Sequence, residues 1–343
     1  MILIRIFENY QRGINIGGWI SQPLAYDSKH YDTFITEDDI KDIAEMGFDH
    51  IRLPVDYDII QNDDETFIES GIKHIDDCIA WATKYNLHMI LDLHKTAGYV
   101  FDDQESSSSF FTDIRLQDRF VNLWSSLAAR YGKYEDMLAF EILNEIVDCN
   151  VAKQWNDLAK RCILAIREQA PTIKILLGGV QSNSVSAIKL LDPPIDENIV
   201  FNFHCYEPMI FTHQAAYWVK GMPPGLKIAY PQTAEEMEKE TRKIDAFCPS
   251  PLFEINAVGQ PFFEVLFGEA IRYAEKYDVP LYCGEFGVIA LADPNDALVW
   301  FTDITAIFKK YGIGYAMWNY KNKDFGLVDD YISVKDTLVK KII

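Results

Sequence analysis

The sequence predicts an α/β fold, a closed (β/α)8 barrel of the TIM type, and three observations predict it. Short apolar runs alternate with longer amphipathic stretches along nearly the whole chain. The runs number eight, and most are continuously apolar, as strands covered on both faces are. Successive runs are separated by enough chain for a crossover, which parallel pairing requires. Eight such units close economically into a barrel, which takes about 250 residues. A doubly wound open sheet is the alternative, but no GxGxxG follows the first run.

In order, the first strand is "GINIGG", residues 13–18. A helix follows from Thr36, where "TEDD" reads as a capping box; Ile40, Ile43 and Ala44 share its inner face and Gly47 stops it. The second strand is "HIRLP" and the second helix spans about 70–86, with Ile72, Ile75, Ile79 and Ala82 as its apolar stripe. "HMILDLH", "LAFEILNE", "KILLGG", "IVFNFHCY", "PLYCGEFG" and "GYAMWNY" supply the remaining strands. Helical periodicity recurs at 114–131, 152–169, 264–277 and 296–310. One connector is too long for a barrel loop, which usually takes about 2 to 6 residues. Residues 207–263, rich in Pro, Phe, Tyr and Met, are therefore expected to form a small subdomain inserted after strand six into a single domain of residues 1–343. Such an insertion overhangs the C-terminal mouth, where it forms either an aromatic lid for ring-shaped ligands or a self-packed unit.

Composition bounds the function. With 49% hydrophobic and 24% charged residues the chain has the make-up of a soluble globular protein. A formal charge of −20 disfavours nucleic acid and anionic membrane as partners and leaves neutral, polyhydroxylated ligands open. The six cysteines form no CxxC pair and read as buried free thiols. No secretory signal, membrane-length apolar run or N-x-S/T sequon occurs, so a monomer that is cytoplasmic, or secreted as a mature chain, is expected.

The strand ends carry the chemistry. They present Arg52, His94, Asn144, Glu145, His204, Tyr206, Glu285 and Trp318. Singly, each has a structural explanation: an ion pair, satisfied histidines, a packing tryptophan. A barrel, however, brings all its strand ends to one mouth. Two glutamates there, Glu145 and Glu285, suit glycoside hydrolysis, which needs one carboxylic acid to protonate the leaving oxygen and one carboxylate facing the anomeric carbon. Glu141 lies four residues before Glu145, roughly 13 Å down the strand, and reads as the structural partner of a buried base. Asn144 and Glu145 are adjacent, so a bulge or an end-of-strand twist is needed for both to face the mouth.

These residues, in the ordered set "GINIGGWIS", "DHIRLP", "LDLH", "LNE", "NFHCYEP", "FTHQ", "LYCGEFGV" and "MWNYK", resemble family 5 glycoside hydrolases, most closely the clostridial endoglucanase C type of cellulase. The resemblance covers nearly the whole chain. It implies a retaining double displacement on β-1,4- or mixed-linkage β-glucan, without cofactor or metal. Glu145 would be the acid/base and Glu285 the nucleophile. Arg52 and Tyr206 would hydrogen-bond Glu285, Asn144 would hold the 2-hydroxyl of the sugar being cleaved, and His204 would neighbour the acid/base. His94 would contact that sugar and Trp318 would lie beneath it. Facing a second carboxylate in a partly desolvated cleft, Glu145 is expected to titrate upward toward about 6. One departure stands out: "LDLHKTAG" places Lys95 and Ala97 where many relatives have a second His or a Pro-Gly. An exo-β-1,3-glucanase and a β-mannanase are alternatives within the family. A metal-dependent hydrolase and a non-catalytic carbohydrate-binding barrel are alternatives outside it.

Overall fold

Eight parallel strands close on themselves in chain order in the computed structural model, which describes residues 4–102, 109–244 and 256–343. The strands are β1 (Arg12–Asn15), β2 (His50–Asp56), β3 (His88–Lys95), β4 (Leu138–Glu141), β5 (Lys174–Gly178), β6 (Ile199–Cys205), β7 (Leu281–Phe286) and β8 (Gly314–Met317). Because β1 pairs with both β2 and β8, the sheet has no open edge.

Most crossovers are the helices the periodicity marks. They are α1 (Glu37–Glu45), α2 (Glu69–Lys84), α3 (Ile114–Tyr131), α4 (Ala152–Gln169), α5 (Gln260–Tyr277), α6 (Pro294–Tyr311) and, after β8, α7 (Lys335–Ile342). The α1 start is fixed as expected: the Thr36 backbone N–H donates to Asp39 Oδ2 at 2.9 Å. Ile72, Ile75, Ile79 and Ala82 of α2 are buried against the sheet. The β5–β6 connection differs from the rest. It holds only two short turns, Val180–Asn183 and Val185–Leu190, because "VQSNSVSAIKL" lacks a full helical stripe.

The main core lies between sheet and helices, while a second cluster of Phe7, Tyr10, Ile90, Ala139, Leu176, Val200, Tyr282 and Ala316 fills the lower bore of the barrel. Of the cysteines, Cys78, Cys162, Cys205 and Cys283 are free and buried, as expected. Cys149 departs from that expectation: it is free but exposed, because it sits in the loop after β4. Cys248 lies outside the described residues.

Residues 207–244 contain two short helices, Met209–Thr212 and Ala234–Thr241. They are fastened to α6, with the Tyr230 N–H donating to Asp296 at 3.0 Å and its hydroxyl to Asp303 at 3.1 Å. Phe211, Met222, Tyr230 and Met237 join the main core. Part of the expected insertion, residues 245–255, lies outside the described residues.

Candidate active site

Alternation along the strands builds the upper bore. Residues 52, 92, 141 and 202 follow, two positions along, the residues that line the lower bore or its rim, so their side chains enter the same channel. Arg52 is fully buried there and uses its whole guanidinium. Nε and Nη2 donate to the two oxygens of Glu141 at 2.7 and 2.8 Å, and Nη1 donates to Glu285 Oε1 at 2.8 Å and to Asn15 Oδ1 at 2.9 Å. Nη2 also reaches Asn144 Oδ1 at 2.9 Å and Asp92 Oδ2 at 3.0 Å. The buried base that Glu141 answers to is therefore Arg52, and Asn202 adds a third donor to Glu141 at 2.8 Å. Ionised groups so deep are tolerated because each is paired and hydrogen-bonded.

Register shifts aim the next layer. Between β6 and β7 the pairing slips so that Glu285 faces His204, while Gly284 passes beside Asn202. A Cβ on Gly284 would come within 2.7 Å of Asn202 Oδ1, so this bulge needs glycine. Glu285 Oε2 accepts from the Tyr206 hydroxyl at 2.9 Å. On β4 regular pairing stops at Glu141, and the chain beyond is free of the two-residue alternation. Asn144 then turns to Arg52 and Glu145 to His204, whose Nδ1 lies 2.8 Å from Glu145 Oε1. At β8 the edge of the Trp318 ring abuts Gly17, where a Cβ would sit 2.4 Å from its Cη2. Its plane is within 10° of that of His94, at a centroid distance of 6.0 Å.

Electrostatics separate the groups. Burial, opposed by the charge of Arg52 and reinforced by Glu141, pushes Glu145 up to about 8, although its side chain keeps 17% of its surface open to the cleft. This exceeds the expected value near 6, since the desolvation in the closed layer outweighs Arg52. Burial also lowers His94 and His204 to about 4, so both imidazoles are neutral at pH 7. His94 Nδ1 meets Asp92 Oδ2 at 2.6 Å, and burial raises Asp92 to about 7.

The eight strand-end residues read from the sequence thus meet in one mouth. Sequence reading missed Asn15, Asp92 and Asn202, which hold that set in place. The signal was available: Asp92 precedes His94, and Asn202 precedes His204, by two residues, hence on the same strand face. Single donor atoms of Glu145, His204 and Glu285 lie within 4.8 Å of one another, the only such group among the described residues that could hold a metal ion. Its ligand atoms are already committed within the protein, Glu145 Oε1 to His204 Nδ1 and the two Glu285 oxygens to Arg52 and Tyr206. The same closeness suits a pair of acids acting on one bond, since retaining glycosidases hold theirs about 5–5.5 Å apart.

Barrel, buried arginine and converging glutamates together define a glycoside hydrolase. The model of the cellulase family, glycosyl hydrolase family 5, matches residues 11–324. The chain is 43% identical to cellodextrinase A of Ruminococcus flavefaciens over 88% of its own length and 83% of that protein's. It is 41% identical to endoglucanase C of Acetivibrio thermocellus over 94% of both chains. Among solved structures, Thermotoga maritima Cel5A in complex with cellobiose superimposes with a TM-score of 0.76 at 26% identity, covering 99% of this chain and 100% of that one. The chain belongs to glycosyl hydrolase family 5. Among its described residues no helix is long and apolar enough to cross a membrane.

Proposed function

We propose that the protein is a retaining endo-β-glucanase that cleaves internal β-1,4 linkages of cellulose-type or mixed-linkage glucan. The observation that carries this reading is the approach of Glu145 and Glu285 within 4.8 Å, with Arg52 and Tyr206 both on Glu285 and neither on Glu145. Glu285, held by two donors, attacks the anomeric carbon while Glu145, protonated at neutral pH, gives its proton to the departing oxygen. A glycosyl ester on Glu285 results. Glu145, now ionised, takes a proton from water, which cleaves the ester and restores both acids. His204 orients Glu145, Trp318 supports the sugar, and Asn144 and His94 bind its hydroxyls. Names of relatives, an endoglucanase and a cellodextrinase, support glucan chains as substrate.

We read residues 207–263 as a cap beside the cleft. Tyr217 and Trp218, 85% and 45% exposed, offer rings on this segment, with Trp218 packed edge-on to His213. Excising the cap should raise KM for polymers more than for aryl glycosides, and equal KM values would remove its binding role. The experiment for the whole reading is a panel of barley β-glucan, carboxymethylcellulose, laminarin and mannan with product lengths recorded. Short oligomers from the first two, appearing early as a mixture, support endo-β-1,4 action. Release of single glucose units from laminarin points to exo-β-1,3 action instead, and preferential attack on mannan to a mannanase.

A further inference from the structure

The two acids are carried by different kinds of chain. Glu285 lies within β7, whose backbone pairs with β6 and β8. Glu145 follows the last residue of β4, Glu141, and so lies beyond the regular ladder. An acid that must meet one oxygen of one bond cannot sit on slack chain, and the backbone around it is captured one group at a time. Asn144 N–H donates to Leu93 O at 3.1 Å, and Ile146 O accepts from Ser182 N–H at 2.9 Å. The two groups that flank Ile146 share a single side-chain atom, the hydroxyl of Tyr99. It donates to Glu145 O at 2.8 Å and accepts from Val147 N–H at 2.9 Å.

The fold takes pains to place that hydroxyl. Tyr99 is buried, and its ring packs against Phe110 and Phe111 at centroid distances of 5.7 and 5.6 Å. Its backbone is fixed by a tight turn directly after β3, with Thr96 N–H donating to Tyr99 O at 3.1 Å and Tyr99 N–H to Thr96 O at 2.9 Å. Gly98 makes the turn possible at φ 79°, and a side chain there would run into Leu116 of α3. An N–H only donates and a carbonyl only accepts, so the single phenolic proton is committed to Glu145 O. Burial holds Tyr99 above the ordinary tyrosine range, so the phenol keeps that proton at neutral pH.

We propose that Tyr99 is a positioning residue for proton donation: its hydroxyl fixes the peptides on either side of Ile146 and so holds the Glu145 carboxyl against the departing oxygen. Glu145 is then gripped at both ends, its backbone by Tyr99 and its Oε1 by His204 Nδ1 at 2.8 Å. Tyr99 touches the chain that carries the acid and not the reacting atoms. Without the hydroxyl, two backbone groups lose their partner and the acid gains room to move, and a misplacement of about 1 Å costs about a hundredfold in rate. The assignment rests on the reading of Glu145 as the acid/base.

The test uses the leaving group, because the proton of Glu145 matters only where the departing oxygen is basic. On the intact chain and on Tyr99→Phe, kcat/KM is compared for cellotetraose, whose leaving sugar needs a proton, and for dinitrophenyl β-cellobioside, whose phenolate leaves without one. For both substrates this ratio reports the steps up to the glycosyl ester. In Tyr99→Phe, which keeps the ring, the cellotetraose value should fall by about tenfold to a hundredfold and the dinitrophenyl value by less than about threefold. Glu145→Ala should show the same split, and a larger one. A role confined to packing would lower both values alike, so equal losses, or no loss on cellotetraose, would overturn the assignment. Should Tyr99→Phe fail to fold, Gly98→Ala, which displaces the turn while keeping the hydroxyl, should give the same split, and equal losses there overturn the assignment too. A Glu145→Ala chain that shows no split brings down the acid/base reading as well, whereas a split in Glu145→Ala with none in Tyr99→Phe overturns the role of Tyr99 alone.

Discussion

Ile90 and Asp92 are neighbours on the inner face of β3, as are Ala139 and Glu141 on β4 and Val200 and Asn202 on β6. In each pair the first residue belongs to the apolar plug of the lower bore, and the second joins the network around Arg52 or its partner Glu141. Two residues of chain thus separate hydrocarbon packing from a buried array of charges. The lower layer stabilises by burial, about 25 cal/mol per Å² of apolar surface removed from water. The upper layer gains little net stability from its ion pairs, since desolvation offsets the attraction, but breaking one strands a charge. Such a layer fixes geometry: every donor of Arg52 is committed, and two of its partners, Glu285 and Asn144, belong to the mouth.

If the layers differ in this way, substitutions should sort them. Arg52→Leu has the largest expected effect: Glu141 and Asp92 lose their counter-charge, lowering stability by about 3–5 kcal/mol. Denaturant unfolding would measure it. A loss below about 1 kcal/mol would mean the acids are not held by Arg52. Ile90→Ala opens a cavity in the plug and should cost about 2–5 kcal/mol, yet leave kcat/KM of the folded enzyme unchanged. A marked fall in kcat would show that the plug also governs the mouth. Tyr206→Phe removes one hydrogen bond from Glu285 and should lower kcat by about tenfold while stability changes by less than about 1 kcal/mol.

The remaining test is a pH slope. Glu145 rises from an ordinary 4.5 to about 8 in the folded enzyme, so folding takes up a proton between those values. Its contribution to stability is full below about 4.5 and is lost as pH rises through about 8. The melting temperature should decline across that window, and Glu145→Gln should flatten the decline. An unaltered slope in the variant would assign the proton to another group.

Much of this was legible in sequence because strand ends and helical stripes are local patterns. Glu145 and Glu285 stand out as acids closing apolar runs, and Ile72, Ile75, Ile79 and Ala82 mark a buried helix face without reference to anything distant. The Arg52–Glu285 pair, 233 positions apart, was legible only through the resemblance; the Arg52–Glu141 pair, 89 positions apart, was not legible and follows only from register. Nor was the aim of Glu285, since a bulge at Gly284 leaves no periodic trace. The height of the Glu145 shift depends on how completely its neighbours exclude water, which composition does not encode.

The division of labour between the two acids is tested most directly by the stereochemistry of azide rescue. Glu285→Ala should lose turnover on every substrate, because no glycosyl ester can form, and added azide should then give a β-glucan-derived glycosyl azide of inverted configuration. Glu145→Ala should still form the ester from substrates with good leaving groups, and azide should give the product of retained configuration. The opposite pairing, retained product from the Glu285 variant and inverted product from the Glu145 variant, would contradict the assignment.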